Sequence, residues 1–448
     1  MNIIPQIKNK SVLILGIGRE GLSTYLFLRK HFPDKVLTIA DKLSLSQLPE
    51  KTRSYISKDK KVKLILGENF IEKSIGFDII FVSPGMSPLI LEKIKNPQSI
   101  VSSNLELFFE LCQGKIIGIT GTKGKSTTTS LIYRVLNQAD LDVRLAGNIG
   151  RPALAFLSGA NSNTIFVLEL SSYQLMRLRR SPHIAVVQNI VPEHLDYHGS
   201  FKKYVTAKEN IVKYQTKKDY VIYNSLSNLA SKIAEISPAK KIPFGHYSKE
   251  IEKTILPIKF VPLKGKFNLQ NVLPAVIIGK LFGISNEKIA SAIKSFKPLE
   301  HRLEYVGTIA GIDYYNDSLS TIPESAIAAI AAFPGKSLVL LLGGYDRGLD
   351  FSNLAKAIRV RKIKGVILFP TTGKKIWNAV KYEFKDDKQL PRHVFVTKME
   401  EAVKQSHVWA KKGDVVLMSP ASASFSLFKD YKDRGDQFKN EVSKLAKK

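Results

Sequence analysis

The sequence predicts an α/β protein made of three such domains in series. Three observations carry this expectation. Short runs of β-forming apolar residues alternate with amphipathic runs of helical period along the chain. Two glycine-rich loops each stand between a strand pattern and a helix pattern. The 448 residues, 44% hydrophobic and 24% charged, suit a multidomain globular enzyme rather than a disordered, collagenous or coiled-coil chain.

The first stretch opens with the strand pattern SVLIL, turns through GIGREG, continues as the amphipathic LSTYLFLRKHF and returns as VLTIAD, a βαβ unit. The strand FDIIFVSPG follows, and a boundary is expected near Ser103. The second stretch starts with KIIGITGTKGKS, a strand, a glycine loop and the start of a helix. It holds further strands at TIFVLEL, IAVVQNI and DYVIYN, and its end is marked by a short KGKFNLQNVLPAVIIGKLFGI helix and by FKPLEHRLEYVG. The third begins near Pro298 and alternates IDYYNDS, a helix from about Pro323, SLVLLLGG, GVILFP, HVFVT and DVVLMSPAS with helices between them. The expected domains are 1–103, 104–298 and 299–448.

Composition excludes several classes. No run approaches the roughly 18 uncharged apolar residues of a membrane span, and the N-terminal segment lacks a secretory n-region, h-region and cleavage site, so a cytoplasmic location is expected. A single cysteine, Cys112, builds neither a disulfide framework nor a cysteine zinc site. The net charge of +29 is spread over all three domains as scattered lysines without an arginine-rich arm. That pattern fits a solvated basic surface and an anionic small substrate better than a nucleic-acid groove.

Gly16, Gly18 and Gly21 form G-x-G-x-x-G, with Asp41 ending the next strand. Small residues let backbone close on a pyrophosphate at a helix N-terminus, where unpaired N–H groups favour negative charge. The pattern also serves a tight turn without ligand. In the second loop, Gly118 to Ser126 (GITGTKGKS) departs by one residue from G-x-x-x-x-G-K-S but keeps the lysine and serine at the helix start. The amides of Gly121, Thr122, Lys123 and Gly124 would cradle phosphates, Lys125 would neutralise β and γ oxygens, and the Ser126 hydroxyl would ligate Mg²⁺ beside Thr127. Glu169, an acid inside the apolar TIFVLEL, is a candidate second metal ligand, because a buried carboxylate needs a metal or an ion-pair partner. Glu193, His194, Asp196 and His198 follow a strand, with Lys208 beyond them; the spacing is compatible with metal binding and with a solvated charged loop.

Taken in order, GTKGKS, LELSSYQL, EHLD with AKEN, FNLQNVLPA, HRLE, YNDS, LLGGYDRGLDF and SPASASF resemble the motifs of the Mur ligase family over essentially the whole chain. The resemblance implies a Rossmann-like N-terminal domain for a UDP-linked substrate, a central ATPase domain and a Rossmann-like C-terminal domain for the amino acid. It implies an ATP-dependent carboxylate–amine ligase that adds D-glutamate to UDP-N-acetylmuramoyl-L-alanine (UDP-MurNAc-L-Ala) in peptidoglycan synthesis, through an acyl phosphate. A monomer with two Mg²⁺ ions, no nucleic-acid partner and no membrane insertion is expected. L-glutamate or another Mur-type acceptor is the alternative within the family. A nicotinamide oxidoreductase would leave GTKGKS without a role, and a nucleic-acid-stimulated ATPase would explain only the charge.

By the same resemblance, Lys125, Ser126, Glu169, His194 and a carbamylated Lys208 form the catalytic and metal centre. Asn268, Asn271, His301, Arg302 and Asp317 lie on the nucleotide side. Gly18, Arg19, Glu20, Asp41 and Lys42 serve the UDP end, and Asn148, Ser171 and Ser172 the muramoyl end. Thr321, Arg347, Ser424 and Tyr431 fall where the family holds glutamate, and Pro298 to Arg302 is the expected hinge. The chain departs from the family at Leu319 and Arg347, where lysines are usual, at Pro192, where an acid is usual, and at Tyr431, where phenylalanine is usual.

Overall fold

A computed structural model describes residues 3–384, 386–425 and 427–446. Its frame is three sheets. Strands β1 (Val12–Leu15), β2 (Leu37–Asp41), β3 (Val62–Leu66), β4 (Ile79–Val82) and β5 (Ile100–Ser102) pair in parallel in the order β3-β2-β1-β4-β5. The central strands β1 and β4 are apolar and buried at every position, the pattern of strands covered on both faces.

The second sheet contains β6 (Lys115–Thr120), β7 (Val143–Gly147), β8 (Ile165–Glu169), β9 (Ile184–Val187), β10 (Tyr220–Asn224) and β11 (Lys240–Phe244). It too is parallel, ordered β11-β10-β9-β6-β8-β7. The third has β12 (Glu304–Ile309), β13 (Ile312–Asn316), β14 (Leu338–Gly343), β15 (Gly365–Phe369), β16 (Arg392–Phe395) and β17 (Val415–Met418), ordered β12-β13-β17-β14-β15-β16. Only β12 runs antiparallel, turning into β13 through Ala310 and Gly311, both at positive φ. EYVG, read from sequence as part of a domain end, thus belongs to an edge strand of the third sheet. The helix read as short spans 16 residues, Lys266–Leu281, with Pro274 inside it.

By packing, the chain divides into two compact units, Met1–Ile255 with Gln270–Ile293, and Leu256–Leu269 with Lys294–Lys448. The first unit holds the first two sheets, and a single apolar core runs through both, including Ile14, Ile79, Phe108, Phe166 and Val187. In the second unit, Leu340, Leu342 and Leu368 pack under one face of the third sheet, and Leu341, Ile367 and Phe438 under the other. No helix among the described residues is long and apolar enough to cross a membrane.

Candidate functional site

The second glycine loop leaves β6 at Thr120 and becomes helical at Lys125, giving the Lys125–Asn137 helix. Glycine is required at two places. Gly121 (φ 149°) and Gly124 (φ 89°) lie where L side chains are strained, and a Cβ at Gly124 would collide with Asn271 Oδ1. The loop is held from below by side chains. Thr122 N–H donates to Asn189 O (2.7 Å), its Oγ1 lies 2.8 Å from Tyr204 Oη, and Thr128 Oγ1 donates to Asn271 O (3.0 Å). Lys125 Nζ curls over the loop, 3.0 Å from Gly121 O and 2.9 Å from Thr122 O. Ser126 is half-buried in the first helical turn and Thr127 is buried. Lys123 pairs instead with Glu193 (2.9 Å).

Glu169 ends β8, one strand over from the loop. Its Oε1 accepts from Asn148 Nδ2 at 2.8 Å, while its Oε2 is buried without a hydrogen-bond partner. An orphaned carboxylate oxygen in a 2% exposed residue is costly unless a cation sits against it. Lys208 is 1% exposed, and its Nζ donates to Gly121 O (2.8 Å) and lies over the Tyr204 ring (4.8 Å). Burial, with Lys125 nearby, holds its amine well below the usual lysine range. His194 adopts a left-handed backbone (φ 56°) at the edge of the site, and burial lowers its pKa against the pull of Glu193. Glu193 is itself held low: burial opposes ionisation, but Lys123 and Lys125 outweigh it.

Two of the four loop candidates separate here. His198 is buried and bonded through Nε2 to Ser172 Oγ (3.0 Å), whereas Asp196 is exposed. Ser171 caps the following turn, which also fixes Gln174. Among the described residues, no group of three or more His, Cys, Asp or Glu side chains is arranged to hold a metal. The donors that fit one are of mixed type: the free oxygen of Glu169, the Ser126 hydroxyl and His194.

The first glycine loop faces the same region of the first unit. Gly16, Gly18, Arg19, Glu20, Asp41, Lys42, Ser83 and Asn148 line a cavity of about 630 Å³. A second cavity, of about 900 Å³, runs from Gly18 and Arg19 along the outer side chains Leu22, Leu26 and Phe27. Gly21 packs so closely on Gly16 O that any Cβ would collide with it. Asp41 spends both carboxylate oxygens on backbone, accepting from Ile17 N (2.8 Å) and Leu43 N (3.0 Å), so its visible work is to hold the loop shut. Tyr197, beyond His194, reaches Pro84 O (2.8 Å) and Met86 O (3.0 Å) at the end of β4.

Asn268, His301, Arg302 and Asp317 belong to the second unit, and Asn271 to the first. Asn268 Nδ2 donates to Lys264 O (2.7 Å). His301 is buried and meets Asn316 Nδ2 through Nδ1 (3.0 Å). Arg302 lies beside Asp317, its Nε buried without a hydrogen-bond partner. Asp317 accepts from Leu303 N, Ser320 Oγ and Ser419 Oγ, yet burial still pushes its pKa up to about 6. Tyr345 N–H donates to Ala423 O (2.7 Å), which brings the Arg347 loop alongside Ser424. The Arg347 guanidinium is exposed, 5.6 Å from the Phe425 ring centroid; the nearby acids are committed elsewhere, Asp346 to Lys375 and Asp350 to Ser352. Thr321 and Tyr431 are half-buried, and Tyr431 O accepts from Ser318 Oγ (2.7 Å).

One residue that sequence reasoning missed organises this end. Arg434 is fully buried and donates to Ser318 O (2.8 Å), Ser318 Oγ (3.0 Å) and Ser422 O (3.0 Å), tying two loops to the Tyr431–Leu445 helix. Burial lowers its pKa to about 9, opposed by Asp317. Arg434→Met should cost about 3–5 kcal/mol, because Asp317 and the carbonyls lose their buried partner. Urea unfolding of the two proteins checks this, and a loss under 1 kcal/mol would contradict it.

Two family models match the chain: the Mur ligase middle domain over residues 119–279 and the Mur ligase, glutamate ligase domain over residues 301–422. The UDP-N-acetylmuramoylalanine–D-glutamate ligase of Clostridium botulinum is 35% identical over 456 residues, covering 98% of both chains. That of Koribacter versatilis is 35% identical over 460 residues, again 98% of both. Among solved structures, the UDP-N-acetylmuramate–alanine ligase of Thermotoga maritima shares the fold, with a TM-score of 0.59 at 17% identity over 97% of this chain and 100% of the other. A MurF ligase from the same organism, in complex with ADP, gives a TM-score of 0.56 at 15% identity over 98% and 96%. With its glycine loops, its sheets and its length matched from end to end, the chain belongs to the Mur ligase family of ATP-dependent carbon–nitrogen ligases.

Proposed function

We propose that this enzyme joins D-glutamate to the alanine carboxylate of UDP-MurNAc-L-Ala in the cytoplasm, cleaving ATP to ADP and phosphate. The observation that carries this is the full-length likeness to D-glutamate ligases, supported by Lys125 over the glycine loop and by the orphaned Glu169 oxygen at the end of the neighbouring strand. The alanine carboxylate attacks the γ-phosphorus and the bond to the β-bridging oxygen breaks, giving an acyl phosphate and ADP. The glutamate amine then attacks the acyl carbon, loses a proton, and phosphate leaves. Phosphoryl transfer of this kind needs positioning and charge neutralisation rather than a protein nucleophile.

Lys125 and the loop amides hold the β and γ phosphates, and Asn148 and Ser171 hold the muramoyl end. Two Mg²⁺ ions, held by Ser126, Glu169, His194 and a carbamate on Lys208, would supply further charge neutralisation at the phosphates. A low lysine pKa supports the carbamate, since only the neutral amine attacks CO₂. The test is phosphate release from ATP in the presence of UDP-MurNAc-L-Ala and each amino acid in turn. Release with D-glutamate and not L-glutamate is expected, and the reverse would overturn the enantiomer while leaving the ligase.

In the C-terminal domain, glutamate presents two carboxylates. Arg347, whose neighbouring acids Asp346 and Asp350 bond Lys375 and Ser352, suits one of them as a bidentate donor, and Ser424 and Thr321 suit the other. Arg347→Ala is therefore expected to raise the KM for glutamate by at least tenfold and leave that for ATP within a few-fold. Steady-state kinetics with each substrate varied decides it; equal effects on both would remove Arg347 from the amino-acid site.

A further inference from the structure

We propose that Glu20 must carry a proton for the UDP-linked substrate to bind, so that recognition of the diphosphate is coupled to proton uptake; this rests on assigning the GIGREG loop to the UDP end. Glu20 sits in the first turn of the Arg19–His31 helix, beside the glycine loop, and lines the cavity there. Its stem reaches the surface but its carboxyl does not. Oε1 accepts from Gln174 Nε2 at 2.6 Å, and Oε2 is buried without a hydrogen-bond partner. Gln174 cannot turn to offer more, because its own carbonyl oxygen is taken by Ser171 N–H (2.9 Å) and Ser171 Oγ (3.0 Å). An ionised carboxylate with one oxygen orphaned is the costly form of this arrangement, and a neutral acid is the tolerated one.

The position makes the charge matter. A helix N-terminus with a glycine loop attracts a diphosphate through its unpaired N–H groups, and a carboxylate in the first turn would oppose that anion. The neutral acid leaves the attraction intact. The surrounding groups offset the charge only in part. Arg19, on the same helix, donates to Gly150 O; Asp41 and Lys42 come from the end of β2; Gln174 is neutral; and the packed Asn104–Leu111 helix adds Asn104, which binds Glu20 O, and two acids, Glu106 and Glu110. Burial, eased by Gln174 and Arg19, raises the Glu20 pKa to about 7, so its protonation changes in the working range. Glu106 is raised to about 7 as well, by burial, which makes a substitution at Glu20 the deciding comparison rather than the wild-type profile alone.

The experiment is calorimetric titration of the whole protein with UDP-MurNAc-L-Ala, without ATP, from pH 6.5 to 8.5 and in phosphate and Tris buffers at pH 7.5. The wild type should lose affinity above about pH 7, approaching tenfold per pH unit, and should take up a large fraction of one proton on binding. Glu20→Gln, neutral at every pH, should bind within a few-fold of the wild type at pH 6.5, hold that affinity to pH 8.5 and take up less proton by the same fraction. Glu20→Ala should likewise be flat with pH. A pH slope and proton uptake that survive in Glu20→Gln, or a flat wild-type profile, would overturn the inference. Absence of binding at every pH in the wild type would overturn the substrate assignment itself, and this inference with it.

Discussion

Lys125→Ala is expected to lower kcat by on the order of 10²-fold or more while leaving the unfolding transition nearly in place. The ammonium lies over the second glycine loop, 3.0 Å from Gly121 O and 2.9 Å from Thr122 O, at the start of the helix proposed to receive the phosphates. An alanine removes the cation proposed to neutralise the transferring group, and Lys123, which is paired with Glu193, is not placed to substitute for it. The loop itself keeps its supports through Thr122 and Thr128, so the structural loss is that of half-buried hydrogen bonds, about 1 kcal/mol each. The KM for UDP-MurNAc-L-Ala should change little, since that substrate is assigned to the GIGREG cavity. Phosphate release and thermal melts on the purified variant measure both halves. Near wild-type turnover would remove GTKGKS from the phosphate site.

How far the sequence could be read follows from what each feature depends on. The two glycine loops were legible because their requirement is local: Gly121 and Gly124 need positive φ, and Gly21 needs room against Gly16 O. Central strands such as β1, β4 and β14 were legible because full burial leaves unbroken apolar runs. Edge strands were harder to read, although HVFVT, the edge strand β16, was found from its sequence. β3 (VKLIL) and β11 (KKIPF) carry lysines and are half-exposed, so their pattern is that of a loop, and β12 is held at its edge only by pairing with β13. His194 and His198 could not be told apart by spacing, and only the fold shows His198 bonded to Ser172. Arg434 was missed because an arginine in a charged helix is ordinarily a surface residue. The surroundings of Glu20 have the same origin, since the donor to its carboxyl is Gln174, 154 residues away in sequence.

Lys208→Ala should be nearly inactive, with kcat reduced by on the order of 10²-fold or more, and a small carboxylic acid such as acetate should restore part of the loss. At pH 7.5 an ordinary lysine with a pKa near 10.4 is roughly 99.9% ammonium, which neither attacks CO₂ nor approaches a metal. Lys208 is not ordinary: enclosed by Tyr204, Thr120 and Gly121 and faced by Lys125, it is driven toward the neutral amine. A carbamate formed there keeps one N–H, enough to hold the bond to Gly121 O, and extends two anionic oxygens on a long stem. Alanine empties that stem's space without filling it, so a diffusible carboxylate can enter and offer similar oxygens. Lys208→Met separates this from loss of packing, because its side chain occupies the space and leaves no room for acetate. Rescue of the alanine variant and none of the methionine variant is the expected pair of results, read as phosphate release against acetate concentration at constant ionic strength. If acetate restored neither variant while both unfolded at the wild-type temperature, the lysine would act as an amine and not as a carbamate. Full activity in Lys208→Ala would show a buried lysine that only packs.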